Sequence, residues 1–235
     1  MDRFDLPRSR LLAFTAIAFV LLVLWDASGL DLALAGWAGT PTGFPWRDNR
    51  FLVKVMHEGA RDLSWLAVFG LFVAIRWPFS ILRRLGRPER VQLAFTTLAC
   101  VLVVSMIKHT SSTSCPWDLQ AFGGSARYVS HWLWGVRDGG GGRCFPAGHA
   151  SAAFAYVGGY FVFRRSAPGI ARAWLAGTIV AGLTLGLAQQ LRGAHYMSHT
   201  LWTGWICWTT AFALDALARR ATRPRGLAPL PGAGS

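Results

Sequence analysis

Charge is scarce in this sequence. Only 15% of its 235 residues are charged, and 53% are hydrophobic. That excludes an ordinary water-soluble domain of this length. Acidic residues are the rarer sign, 11 against 24 basic ones, and the net charge of +13 is carried almost entirely by arginine. Cysteine is scarce too. Four residues with no C-x-x-C pair exclude a disulfide scaffold and argue against a zinc ribbon. There is no internal repeat.

What the chain does have is apolar length and aromatic rings. Twelve Trp and fifteen Phe fit the aromatic belts of a membrane interface. Six apolar runs approach the ~20 residues that cross a bilayer. They cover about 11–30, 62–77 (extending back toward Phe51), 91–107, 149–163, 170–191 and 200–217. The expected fold is all-α: a polytopic membrane helical bundle of about six transmembrane helices. One membrane-embedded domain would span 1–220, followed by a Pro/Gly-rich, disordered tail over 221–235. The first run could instead be a cleaved signal peptide, since basic residues precede it and Ala33–Ala35 offers small residues. That site lies well beyond the apolar core, with Asp26 and Asp31 between, which favours an uncleaved helix.

The arginines set an expected orientation. Arg3, Arg8 and Arg10, then Arg76 to Arg90, then Arg164, Arg165 and Arg172, then Arg219 to Arg225 all fall on one side of a six-span topology. By the positive-inside rule that side is cytoplasmic, with both termini inside. The basic charge is then explained by topology and anionic lipid headgroups, and no nucleic-acid partner is expected.

The six histidines, His57, His109, His131, His149, His195 and His199, all map to the other side. Lys108, Arg61, Arg127, Arg137, Arg143 and Arg192 accompany them. Interfacial cations can simply snorkel to water, but here separate elements bring them to one face, which marks a site. Cations without matching carboxylates suit a phosphate: Arg grips it bidentately and Lys acts as a point charge. His149 follows Pro146-Ala147-Gly148 at the start of an apolar run, where helix N–H groups favour anions. Two histidines from separate elements could divide phosphoryl transfer between a nucleophile and a proton donor. His109 and His131 read as loop or cap residues, and the tryptophans of the last run as interface anchors.

Three stretches together resemble the type 2 phosphatidic-acid phosphatase superfamily, the integral-membrane lipid phosphate phosphatases, whose motifs are K-x6-R-P, P-S-G-H and S-R-x5-H-x3-D. Here "KHTSSTSCP" runs from Lys108 to Pro116, "PAGH" from Pro146 to His149, and "GAHYMSH" from Gly193 to His199. They fall at the end of the third run, the start of the fourth, and between the fifth and sixth. The resemblance covers roughly 91–217. It implies a nucleophilic His195 that forms a phosphohistidine, an acid in His149, phosphate binding by Lys108 and Gly148, and no metal or cofactor. The substrate implied is a lipid phosphate monoester or pyrophosphate, met among membrane lipids.

Four positions depart from the motifs. Cys115 stands for Arg, Ala147 for Ser, Gln189 for Arg, and His199 for the Asp that orients the nucleophile. Arg192, three residues before His195 rather than six, points about 60° away from the motif position on a helix and could substitute. Arg143 and Arg61 are candidates for the first-motif Arg. His57 and Arg61, in "HEGAR", stand at i, i+4 on one helix face. Asp118, Glu58, His57 or His199 itself could orient the site.

Cys115 and Cys144 bracket the long link between the first two motifs. A disulfide there would close a loop of about 30 residues, worth about 3–4 kcal/mol in the chain-entropy model; the alternative is two buried thiols. Cys100 and Cys207 read as packing residues. The expected location is the inner (cytoplasmic) membrane of a bacterium, with the site facing the periplasm. Two other readings stand beside the phosphatase: a non-catalytic or phosphotransferase relative that binds or transports an anionic lipid, and a histidine-based metal transporter, which the arginines disfavour.

Overall fold

The computed structural model describes residues 7–222. Arg3, Arg223, Arg225 and all but the first two residues of the expected tail lie outside the described residues. Those first two, Ala221 and Thr222, are helical.

The chain is an all-α membrane bundle. Helix α1 is Arg8–Ala27 and α2 is Leu30–Ala38. A π-helical stretch, Phe51–Gly59, runs directly into α3, Ala60–Arg76. Then come α4 (Arg87–Thr110), α5 (Ser151–Phe154), α6 (Gly158–Phe163), α7 (Pro168–Leu191) and α8 (Met197–Thr222). A 3-10 turn at Ala155–Val157 joins α5 to α6.

Four segments are long and apolar enough to cross a membrane: Arg8–Ala27, Phe51–Arg84, Arg87–Thr110 and Pro168–Leu191. The other two expected runs are also helical. Ser151–Phe163 is apolar but shorter. The 26-residue α8 is diluted by polar groups that it turns inward, including buried Ser198, His199, Thr200, Thr203 and Asp215. By contrast α1 buries little beyond Leu11 and Leu22 and leaves Phe14, Ile17, Val20, Leu21 and Leu24 exposed. An apolar face turned outward is what lipid contact requires.

The first expected run does not stay one helix. Gly29 takes φ +72°, a left-handed conformation natural to glycine, and α2 starts anew beyond it. Starts elsewhere follow local chemistry. Glu89 reaches back to accept the Gly86 N–H at 2.7 Å, and Pro168 opens α7 where its missing N–H costs nothing.

The core lies where α4, α5–α6 and α8 meet, around Leu93, Cys100, Val104, Phe161, Phe163, Cys207 and Trp208. One end of the bundle gathers the arginine-rich links. There Asp215 accepts Gln92 of α4 at 3.1 Å and pairs with Arg164 and Arg219. The histidines lie at the opposite end, His131 within the long link from α4 to α5.

Candidate functional site

Four segments meet at the histidine end. Lys108 lies in the last turn of α4. His149 follows the Phe145-to-Gly148 stretch and leads into α5. His195 sits in the turn between α7 and α8, and His57 in the π-helical stretch. The rings of His149 and His195 are 6.4 Å apart between centroids. The stem of Lys108 runs beside Gly148, where a Cβ would sit 3.5 Å from Lys108 Cδ. The turn carrying His195 depends on Gly193, whose φ is +73° and whose face lies against Phe44.

His195 is almost wholly buried, 3% exposed. Its Nδ1 lies 3.5 Å from Cys144 Sγ. Cys115 and Cys144 are joined in a disulfide. Both sulfurs are therefore bonded, and neither is a thiolate ligand. Although donor atoms of Cys115, Cys144 and His195 lie within 4.8 Å of one another, the trio has the wrong chemistry for a metal.

His199 does not orient His195 in this arrangement. Its Nδ1–H donates to the Cys144 carbonyl at 3.0 Å, and its ring centroid is 6.0 Å from that of His195. The His199 carbonyl also accepts the Ala147 N–H at 3.2 Å and the Thr203 hydroxyl at 2.7 Å. His199 thus clamps the stretch that delivers His149. Asp118, read as another partner for His195, instead accepts the Cys115 N–H at 3.2 Å and caps a short 3-10 turn.

Arg192 is buried and held from two sides. Its Nε–H donates to the Arg47 carbonyl at 2.9 Å, and its Nη1–H to Gln189 Oε1 at 3.0 Å. Arg61 is exposed and pairs with Asp62 at 3.0 Å. His57 stacks on His149, 3.7 Å between centroids with a 30° tilt, and its Nδ1 is buried without a partner. His57 and Arg61 lie four positions apart, where the π-helical stretch runs into α3. Glu58 is taken by Lys54 at 2.8 Å. Arg143 ties its backbone to Ser111 and leaves its side chain exposed, so the structure does not bring it into the cluster.

The carboxylates that organise this end escaped the sequence reading. Buried Asp31 of α2 accepts the Ser198 N–H at 3.0 Å, the Ser198 hydroxyl and the Trp25 indole, and so caps α8. Asp138 accepts the N–H and hydroxyl of Ser114. Asp26 accepts the indoles of Trp132 and Trp202. His131, read as a loop residue, lies beside Asp26 at 3.4 Å and stacks on Phe145. No periodicity signals these pairings; Asp31 and Ser198 are 167 positions apart.

Burial and neighbouring cations bias the histidines toward neutrality. Desolvation, followed by His57, Lys108, Arg192 and Arg61, pushes the His149 pKa down to about 3. Desolvation, then Lys108, His199 and His149, pushes His195 well below its usual value, against a Cys144 backbone hydrogen bond that favours the cation. A site that expels protons while holding Lys108 and Arg192 is prepared for an anion.

The sequence of this end agrees with its geometry. The model of the PAP2 superfamily matches residues 90–223. The match spans more than half of the chain and all three motif positions, and the protein belongs to that superfamily. No curated protein matches the chain, and no solved structure matches it. Membership supports phosphatase-type activity on phosphate esters, and with the apolar helices it makes this a membrane protein.

Proposed function

We propose that the protein is a lipid phosphatase that hydrolyses a phosphate monoester or pyrophosphate at the histidine end of the bundle, through a phosphohistidine and without a metal. The observation that carries this reading is the facing pair His149 and His195, 6.4 Å apart, beside Lys108 and Arg192. In the first step a His195 ring nitrogen attacks phosphorus and the bond to the lipid oxygen breaks. His149, as imidazolium, gives that oxygen its proton. In the second step neutral His149 takes a proton from water, whose oxygen attacks phosphorus. The P–N bond breaks, and phosphate leaves. The Nδ1 of His195 faces the disulfide sulfur, which leaves Nε2 for phosphorus.

His149 needs a proton that its burial and the surrounding cations disfavour. A phosphate dianion between Lys108 and Arg192 offsets the cations that depress it and raises its affinity for the proton. The acid is thus armed by the substrate.

A lipid rather than a soluble ester is supported by an apolar groove of about 600 Å³ between α3 and α7. It begins at Ala60 and Ala152, next to Arg61 and His149, and continues past Ala67 and Gly177. Tails could lie there while the headgroup reaches the histidines. In this reading six helices cross the membrane, and both termini are cytoplasmic because the arginines share the other end. The site then faces the periplasm from the inner membrane. Helix α1 is retained, since Trp205 and Trp208 of α8 donate to Thr15 at 3.1 and 2.8 Å.

Phosphate release from a panel of lipid phosphates by detergent-purified protein, with EDTA present, tests the reading. Release that survives EDTA supports it. Absence of release from every lipid favours the non-catalytic or phosphotransferase relative.

A further inference from the structure

The link between α4 and α5 carries a projecting finger over residues 127–138. Its base is pinched shut by the Arg127 N–H, which donates to the Asp138 carbonyl at 2.9 Å. Asp138 is itself buried and bound to Ser114. Between these ends the chain makes two tight turns, Leu133 N–H to Ser130 and Val136 N–H to Leu133.

The finger leaves much of its apolar surface exposed, although Trp132 and Tyr128 also pack inward, on Trp202 and Tyr196. Tyr128, Trp132, Leu133, Trp134 and Val136 are 44–60% exposed. Outward apolar groups on the helices are accounted for by lipid tails, but this segment is no helix and does not span. Apolar residues clustered on a loop mark a contact surface. Arg127 and Arg137, both exposed, stand on either side of the cluster.

We infer that this finger rests in the interfacial layer of the membrane, with its aromatic tip among the headgroups and upper chains and its two arginines on lipid phosphates. Three observations fix the occupant as a bilayer. The finger carries Trp132, Trp134 and Tyr128, side chains of the kinds that prefer the headgroup level. The flanking cations match phosphodiester headgroups. The finger is also continuous with a lipid-facing helix: Trp132 donates its indole N–H to Asp26 at 3.0 Å, in the last turn of α1, just beyond exposed Leu24. The tip therefore starts at the depth where the apolar face of α1 ends.

The finger also reaches the site. Its inward residue, His131, stacks on Phe145 at 4.1 Å and 5° between planes, and its ring is 5.6 Å from that of His199. Phe145 begins the stretch that delivers His149. The membrane surface is thereby coupled to that stretch through one stacked pair.

The test is site-directed spin labelling of the full chain in nanodiscs containing phosphatidylglycerol. Trp134→Cys and, separately, Leu133→Cys carry the label; the native free cysteines, Cys100 and Cys207, are buried. Gly141→Cys gives the aqueous reference and Ile17→Cys the bilayer reference. The expected result is a ratio of oxygen to water-soluble nickel-chelate collision rates several-fold above that at 141 and below that at 17, for both finger positions. A ratio equal to that at 141 overturns the inference. So does shielding from both reagents that appears only in discs holding two copies, which would assign the surface to a second copy.

Discussion

Arg192 donates a hydrogen bond to Gln189 at 3.0 Å. Gln189 occupies the position where the third motif carries arginine, so the residue that departs from the motif holds the arginine proposed to replace it. The guanidinium reaches the cluster from three residues further along, steadied by Gln189 and by the Arg47 carbonyl.

Arg192→Ala is therefore expected to lower kcat/KM by about 100-fold or more, the scale of a lost transition-state contact, and comparably to Lys108→Ala. Gln189→Ala should cost less, about tenfold, since it loosens the arginine without removing it. Steady-state phosphate release on the two variants checks this. An Arg192→Ala enzyme with wild-type kcat/KM would remove the arginine from the clamp.

Asp31 caps α8 from another helix and anchors the turn that holds His195. Asp31→Ala strands the Ser198 N–H, the Ser198 hydroxyl and the Trp25 indole. A cost of about 3 kcal/mol is expected for a lost cap plus unpaired buried donors. Chemical denaturation in detergent measures it, and activity should fall with stability.

Stability should fall with acid. His149 and His195 are held neutral in the folded state, with His149 pushed down to about 3. Below their ordinary value near 6.5 the unfolded chain binds protons that the folded chain refuses. The loss thus develops as pH drops below about 6.5, by about 1.4 kcal/mol per unit for each such histidine, and for His149 it continues toward about 3. Thermal melts across that window check the sign, and His149→Gln should flatten the profile.

The Cys115–Cys144 disulfide closes a sequence separation of 29 and sits against His195. Its removal, as Cys115→Ser with Cys144→Ser, should destabilise the protein by about 3–4 kcal/mol on the chain-entropy argument. The Cys144 backbone, which accepts from His199, should remain in place. Melting with and without reductant gives the same comparison in the native chain.

The helices were legible because lipid contact demands long apolar runs. Runs 91–107 and 170–191 fall inside α4 and α7, and the second run does extend back to Phe51. The break before α2 was not legible, since one left-handed glycine leaves hydropathy unchanged. At the site, Lys108, His149 and His195 were singled out by the resemblance of three stretches to the superfamily's motifs, and the fold brings those stretches to one end. What spacing cannot show is which polar partners a tertiary fold supplies. Asp118 sits near the first motif yet turns to its own backbone, while Asp31 arrives from a different helix. The stacking of His57 on His149, 92 positions apart, likewise leaves no mark on the sequence.

The central claim is a covalent phosphohistidine on His195, and rapid quenching with a phosphorus-labelled substrate tests it most directly. The account predicts a label on the wild-type chain that is stable in base, lost in acid, mapped to His195 and unaffected by EDTA. Phosphate release by His195→Ala at the wild-type rate, or label on another residue, would contradict it.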